Sequence, residues 1–432
     1  MNPLLARYLY FSLQFFRREP VRKALEMQSM FFDENTIEFE LDFKKKFLIN
    51  AKNNVPFYNK EIEKNDIHIE KISSVNEINY FIESLPIIEK QYVIRNKEKF
   101  LSKFWKQKPY TLNTTSGSTG DPLIFHLNNE SWAFRHAAQF YCLSKYGINI
   151  GEPYGYFFGQ HWRKDKKRYT DIKDLIFNRI RVSAFNISDQ TVVSYFAQLK
   201  RSRITHIIGY PSAISDFCNL ISKKKDLQEL GIKGIVTTSE PLFDYQRETI
   251  EKAFKAPCIN IYGAVEAGIV AFEIPDHGLI QNRLGVHVKE VDNEIIATDI
   301  HNYSFPLINF RTGDYFEPGE KEGEYSQIFG RSGKKIELKT GRTINANVFS
   351  YIFKTLSSSF PVAKYRFYLS PEKGSFRCEV VMIDVPSNIE DFQLALRNEF
   401  VQAIGNDIPL EISLVEEIPY LANAKHRDIV EL

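Results

Sequence analysis

Hydrophobic positions in the first hundred residues recur at helical spacing. Phe43, Phe47, Leu48 and Ala51 fall on one side of a helix. Asn53-Asn54-Val55-Pro56-Phe57-Tyr58 closes that helix, because Pro56 disfavours helical geometry at Val55. Residues 1–100 are therefore expected to be largely helical. Met1 to Arg18 is apolar but interrupted by Arg7, lacks a small-residue cleavage site, and falls short of the ~20 apolar residues a membrane span needs. It reads as an amphipathic helix docked on the core, in preference to one touching a membrane.

From about residue 110 the period changes. Tyr154–Phe158, Ile204–Ile208, Gly234–Thr238 and Ile259–Tyr262 are short β-prone runs. The helical patterns Asp189–Lys200 and Asp244–Phe254 lie between them, an alternation that predicts βαβ units and a largely parallel sheet. Residues 285–330 are denser in short strands and turns, as at Asn293–Thr298 and Leu307–Asn309. A charged, turn-rich stretch follows Gly330-Arg331 up to Thr343. Beyond it, strands are expected at Val362–Leu369, Phe376–Ile383 and Leu410–Val415, with a helix at Ile389–Ala403. The predicted class is α/β: a large multi-sheet N-terminal domain, 1–330, and a small α+β C-terminal domain, 331–432.

Composition narrows the function. Lys plus Arg number 56 and Asp plus Glu 54, a net charge of +2, which disfavours a nucleic-acid partner. Aromatics make up 14%, enough for large cores and a ring-lined pocket. Cys142, Cys218, Cys258 and Cys378 are widely spaced, so neither a zinc site nor a disulfide framework is expected and a cytoplasmic setting fits.

Thr114-Thr115-Ser116-Gly117-Ser118-Thr119-Gly120-Asp121-Pro122 is the most unusual stretch. Its glycines allow consecutive N–H groups to converge on an anion, and its hydroxyls add donors for phosphate oxygens. No Gly-Lys-Ser/Thr follows, so it is not a P-loop of the common NTPase kind. Four more motifs come in order: Thr238-Ser239-Glu240-Pro241; Asn260-Ile261-Tyr262-Gly263-Ala264-Val265-Glu266; Phe310-Arg311-Thr312-Gly313-Asp314; and Gly330-Arg331-Ser332-Gly333-Lys334-Lys335-Ile336. The chain closes with Asn423-Ala424-Lys425-His426-Arg427.

In this order and spacing the chain resembles the adenylate-forming superfamily of acyl-CoA synthetases and adenylation domains, and within it the short phenylacetate–CoA ligase branch with its CapK-like members. The resemblance runs from about residue 50 to the C-terminus, with Asn53–Tyr58 and Leu85-Pro86-Ile87-Ile88-Glu89-Lys90 resembling N-terminal signatures of the branch. It implies ATP and Mg²⁺ as cofactors, with CoA as a further candidate. The reaction implied is adenylation of a small carboxylic acid, then acyl transfer to a thiol or to an amine such as an amino sugar. CapK-like members accompany bacterial surface-polysaccharide biosynthesis.

The resemblance also implies roles. Thr115, Ser116, Gly117, Ser118, Thr119 and Gly120 grip phosphates. Glu266 holds Mg²⁺, as a hard oxygen ligand suits that ion. Tyr262 and Gly263, with Ser239, Glu240 and Pro241, border adenine. Asp314 takes the ribose hydroxyls, for which two acceptor oxygens are well matched. Arg331 approaches ribose or phosphates, and Lys425 is the C-terminal catalytic lysine. Tyr210, Pro211 and Ser212, together with Gly263 and Ala264, border the acid. His161, Trp162, Arg163, Lys164, Lys166, Lys167 and Arg168 form a basic run, read either as an exposed loop or as a contact for a phosphorylated acceptor. The sequence departs from the family at the hinge, where Gly333 and Lys334 stand in place of an Asp. Competing readings are nucleotidyl transfer that leaves AMP on the substrate, an aryl-acid CoA ligase of aromatic catabolism, and a nucleotide-binding protein without catalysis.

Overall fold

The structure is a computed structural model. It describes all residues except 35, 37, 65–67, 105–109, 115–122, 159–166, 331–334, 346–347, 358, 361, 371, 373, 383–388, 420–428 and 432. Two compact units emerge. The first comprises 1–152, 261–313 and 317–327; the second comprises 153–260, 314–316 and 328–432.

The first unit opens with the predicted helices: Pro3–Phe16, Val21–Asp33, Glu38–Asn54, Pro56–Glu63 and Val75–Ser84, with shorter ones to Phe100. Local chemistry fixes their ends. Asn2 Oδ1 accepts the Leu4 N–H at 2.8 Å, and Pro3 takes the first helical position, where no N–H is needed. Val55 is extended (φ −112°, ψ 114°), and Pro56 opens the next helix. Ser74 and Glu77 form a reciprocal capping box. Among the residues the helices bury are Phe47, Leu48, Ala51, Tyr58 and Phe81.

A hairpin, β1 (Tyr110–Thr114) with β2 (Ile124–Asn128), pairs antiparallel with Thr114 opposite Ile124. Next come β3 (Tyr154–Phe158), β4 (Arg179–Ser183), β5 (His206–Gly209), β6 (Gly234–Thr238) and β7 (Cys258–Ala264). In the second unit, β6-β5-β3-β4 is a run of parallel neighbours; β3, β5 and β6 follow the alternating pattern, and β4 is a strand that the pattern does not mark. Its helices include Val192–Arg201, Pro211–Ile221 and Asp244–Phe254, and Phe157, Ile207, Phe217, Ile235 and Ile250 form its core.

Strand β7 passes from the second unit into the first. There it pairs with β8 (Gly268–Ile274), and β9 (Gly278–Gln281), β10 (Val286–Val291), β11 (Glu294–Asp299), β12 (Phe310–Pro318) and β13 (Glu324–Gly330) follow in the chain. Pairs β7/β8, β8/β9, β9/β13 and β10/β11 are antiparallel. Leu307–Asn309 is a turn: Asn309 has φ 53°, its N–H donates to Thr298 Oγ1 and its side-chain amide donates to the carbonyls of Ile82 and Leu85.

The C-terminal region forms a smaller α+β layer within the second unit. It contains β14 (Lys335–Glu337), β15 (Thr343–Asn345), β16 (Val362–Leu369), β17 (Phe376–Met382), β18 (Leu410–Leu414) and β19 (Ile429–Glu431), with helices Val348–Ser357 and Ile389–Ile404. Strand order is β18-β17-β16-β19. Phe349, Phe353, Tyr365, Phe367 and Phe392 fill its core, and Phe243 and Tyr245 join the same cluster. Lys364 Nζ and Asp216 Oδ2 form an ion pair at 2.8 Å.

Candidate functional site

In the second unit, several predicted site residues stand just past the carboxyl ends of parallel strands. Strand β3 has β4 on one side and β5 on the other, so the chain reverses its direction of winding there. Open α/β sheets place ligands outside the strand ends at such a reversal. Gly209 ends β5 so close to Phe157 that a Cβ would collide with it, and Tyr210, Pro211 and Ser212 follow directly. Pro211 starts the helix Pro211–Ile221. Tyr210 is buried, edge-on to Phe158 with ring centroids 4.8 Å apart, in a small cluster with Ala184 and Ala213. Burial, and then the nearby Glu240 carboxylate and Tyr156, push its phenol up to about 12, so it remains protonated and able to donate at neutral pH.

Strand β6 ends in Thr238, and Ser239 takes the left-handed conformation (φ 70°), uncommon for a residue with a side chain. Glu240 turns its carboxylate onto the neighbouring segment. Its Oε2 accepts the Ser212 hydroxyl at 2.6 Å and the Ser212 N–H at 3.3 Å. The carboxylate thus caps the first turn of the 211–221 helix and ties the 239–241 segment to 210–212. Gly330 (φ 60°) joins this side: a Cβ there would lie 3.5 Å from Pro241 Cγ and 3.9 Å from Asp314 Oδ1. The structure therefore brings together Tyr210, Ser212, Glu240, Pro241 and Asp314.

In the first unit, β7 carries Tyr262, Gly263 and Ala264. The register with β8 shifts between Tyr262 and Gly263, an irregularity that re-aims side chains. Gly263 is obligatory here, because a Cβ would sit 2.7 Å from the Gly268 carbonyl oxygen. The chain then turns, Ala267 N–H donating to Ala264 O at 3.1 Å, and Glu266 lies in that turn, 9% exposed.

Arg135, which the sequence reading did not single out, holds this turn. Its Nη1 donates to Val265 O at 2.8 Å and its Nη2 to Glu266 O at 3.4 Å. The same Nη2 donates to Asp299 Oδ2 at 2.8 Å, an oxygen that also accepts the Ser131 hydroxyl at 2.5 Å. Both members of the ion pair are largely buried, and Gly268 (φ 85°) leaves room for the arginine, which a Cβ would meet at 2.9 Å. No sequence signal marks Arg135, since the carbonyls and the carboxylate it holds lie more than a hundred residues further on.

The phosphate-loop residues Thr115, Ser116, Gly117, Ser118, Thr119 and Gly120, and also Arg331 and Lys425, lie outside the described residues. So does the basic run up to Lys166; Lys167 and Arg168 open the helix Lys167–Ile176. Cys142, Cys218, Cys258 and Cys378 are buried free thiols. Among the described residues no group of three or more His, Cys, Asp or Glu gathers as a metal cage. A carboxylate such as that of Glu266 fits Mg²⁺, which takes one or two protein carboxylates and completes its shell with phosphate oxygens and water.

The fold is that of the adenylate-forming ligases. The chain superposes on 2-hydroxyisobutyryl-CoA ligase in the postadenylation state with a TM-score of 0.68, at 13% identity over 91% of this chain and 88% of that one. On ATP-bound MatB from Rhodopseudomonas palustris it gives 0.50, at 13% identity over 83% of this chain and 80% of that one. In sequence the chain is similar to Protein CapK of Staphylococcus aureus, at 25% identity over 331 residues, which cover 75% of this chain and 70% of that protein. No family model matches the chain.

Proposed function

We propose that the protein is an ATP- and Mg²⁺-dependent ligase that activates a carboxylic acid as its acyl-adenylate and passes the acyl group to a thiol or an amine. The observation that carries this reading is the placement of Tyr210–Ser212 and Ser239–Pro241 past the ends of β5 and β6, at the winding reversal, with Asp314 beside Gly330. The solved ligase that resembles this chain is described in complex with 2-HIB-AMP and CoA, and MatB with ATP bound.

In this reading the acid's carboxylate oxygen attacks the α-phosphorus of ATP. The new P–O bond forms as the bond to pyrophosphate breaks. Thr115–Gly120 donate to the phosphates, and Lys425 places a cation beside the charge developing in the transition state. Asp314 accepts from the ribose hydroxyls. Tyr262 and Gly263 border adenine, a role that the 239–241 backbone shares. Glu266 would hold Mg²⁺, which when bound screens the phosphate charge. Tyr210, Pro211, Ser212 and Ala264 border the acid. Arg331 follows Gly330 at the junction with the cap, 331–432. Resemblance to CapK-like chains favours a place in surface-polysaccharide biosynthesis, with an amino sugar or another amine as acceptor alongside CoA.

ATP–pyrophosphate exchange over a panel of acids tests the first half-reaction. Exchange is expected with at least one acid, and Glu266→Gln should lower it on the order of 10²-fold. No exchange with any acid, together with no shift in melting temperature on adding ATP, would overturn the reading. Mass spectrometry of products formed with CoA, amino acids and amino sugars then identifies the acceptor. A stable AMP-substrate adduct in place of acyl transfer would favour nucleotidyl transfer.

A further inference from the structure

The helix Pro3–Phe16 is apolar on two sides. One side docks: Ala6 and Tyr10 are fully or nearly buried, Tyr10 lies edge-on to Phe140 at 5.4 Å, and the backbone at Pro3 and Arg7 packs against Gly151. This agrees with the core-docked helix expected from sequence. The opposite side carries Leu4 (75% exposed), Leu5 (51%), Tyr8 (70%), Phe15 (80%) and Phe16 (81%). Residues 4, 8 and 15 line up one above another, with 5 and 16 beside them, so the exposed rings form one strip along the helix. Soluble surfaces scatter single apolar residues; a strip of this length marks an interaction surface.

The charges identify its partner. Arg7, Arg17, Arg18, Arg22 and Lys23 face a single acid, Glu19, so residues 1–25 carry a net +4. The whole chain is +2, and the remainder therefore sums to −2. Glu19 is buried against Arg17 at 2.9 Å, which leaves the cations dominant at the surface. Arg7 and Arg22 lie 5.9 and 5.0 Å from the Phe11 ring, close to the apolar strip. A second copy of the same face would oppose cation to cation, whereas an anionic lipid surface answers both features. Among the described residues no helix is long and apolar enough to cross a membrane, so the contact is one that lies in the interface.

We propose that the outer face of the helix Pro3–Phe16 docks the protein on anionic membrane surfaces, with Leu4, Tyr8, Phe15 and Phe16 in the acyl–headgroup boundary and the flanking arginines on lipid phosphates. Co-sedimentation of the full chain with vesicles of phosphatidylcholine alone, and of phosphatidylcholine with an equal part of phosphatidylglycerol, tests this without ATP or acid, so it stands or falls apart from the ligase reading. Binding is expected to the phosphatidylglycerol vesicles, to weaken as salt is raised, and to fall by more than about tenfold in Phe15→Ser/Phe16→Ser. Because both rings are exposed, the melting temperature of this variant should match the parent's. Absence of binding, or unchanged binding by the variant, overturns the proposal. So does a concentration-dependent dimer in analytical ultracentrifugation that the same variant dissolves, since the face would then be a contact between copies.

Discussion

His301 is fully buried, its ring stacked on Phe134 at 3.5 Å, with Nε2 donating to the Leu284 carbonyl at 2.8 Å. Burial lowers its pKa to about 4 from an ordinary 6.5. Below the ordinary value the unfolded chain takes up a proton that the folded chain refuses. The stability tied to this residue is therefore complete above pH 6.5 and is lost as pH falls toward 4. Between about pH 7 and pH 5 the loss is about 2 kcal/mol, which His301→Phe should remove while keeping the ring stack. Urea titrations of both proteins at the two pH values measure it, and equal losses would refute the assignment. Arg135 yields a second expectation. Arg135→Lys keeps a charge for Asp299 but gives up the fork that reaches the carbonyls of Val265 and Glu266. Exchange activity should drop by about 10- to 100-fold, with a larger Mg²⁺ requirement and little change in melting temperature. Glu266 stands out in the sequence because its motif is local. Arg135 does not, because its role exists only once β7, β11 and the 129–144 helix are assembled.

Elements were legible where their signals are local. Gly234–Thr238 and Asp244–Phe254 coincide with their predicted bounds, and the break at Val55-Pro56 follows from proline sterics. The helix expected from Asp189 begins instead at Val192. Thr191 Oγ1 accepts the Ser188 N–H and donates to Asn186 O, so side-chain bonding holds 186–191 as a turn. The β7 irregularity was not legible, since it depends on pairing with β8. Gly263→Ala would press a methyl group against the Gly268 carbonyl at 2.7 Å. The strand pair must then part, at a cost of about 1–3 kcal/mol, and Tyr262 and Glu266 shift with it. Thermal unfolding reads the first effect and loss of ATP-induced stabilisation the second. A variant that melts and binds ATP as the parent does would show that the close approach is not required.

At the scale of the molecule, alternating periodicity was enough for the parallel neighbours β6-β5-β3 and for the α+β tail, but not for β4 (Arg179–Ser183). How the tail's core extends into the rest of the second unit was not readable. Phe243 and Tyr245 pack in one cluster with Tyr365, and Lys364 reaches Asp216, contacts between residues far apart in sequence. Lys364 is 9% exposed and Asp216 24%. Asp216→Asn removes one charge of a largely buried ion pair and should destabilise by about 2 kcal/mol. The double replacement Asp216→Leu/Lys364→Met should recover most of that, because a matched apolar pair avoids the desolvation of both charges. Urea unfolding of the three variants decides the matter; a double variant no more stable than Asp216→Asn would place the defect in packing. Gly151, against which Pro3 and Arg7 rest, has a further consequence for the order of events during synthesis. A helix of 14 residues is marginal by itself, and its docking site is made long after it. This segment is translated before its docking site and must therefore wait, with both apolar sides uncovered, until the chain beyond residue 151 has emerged.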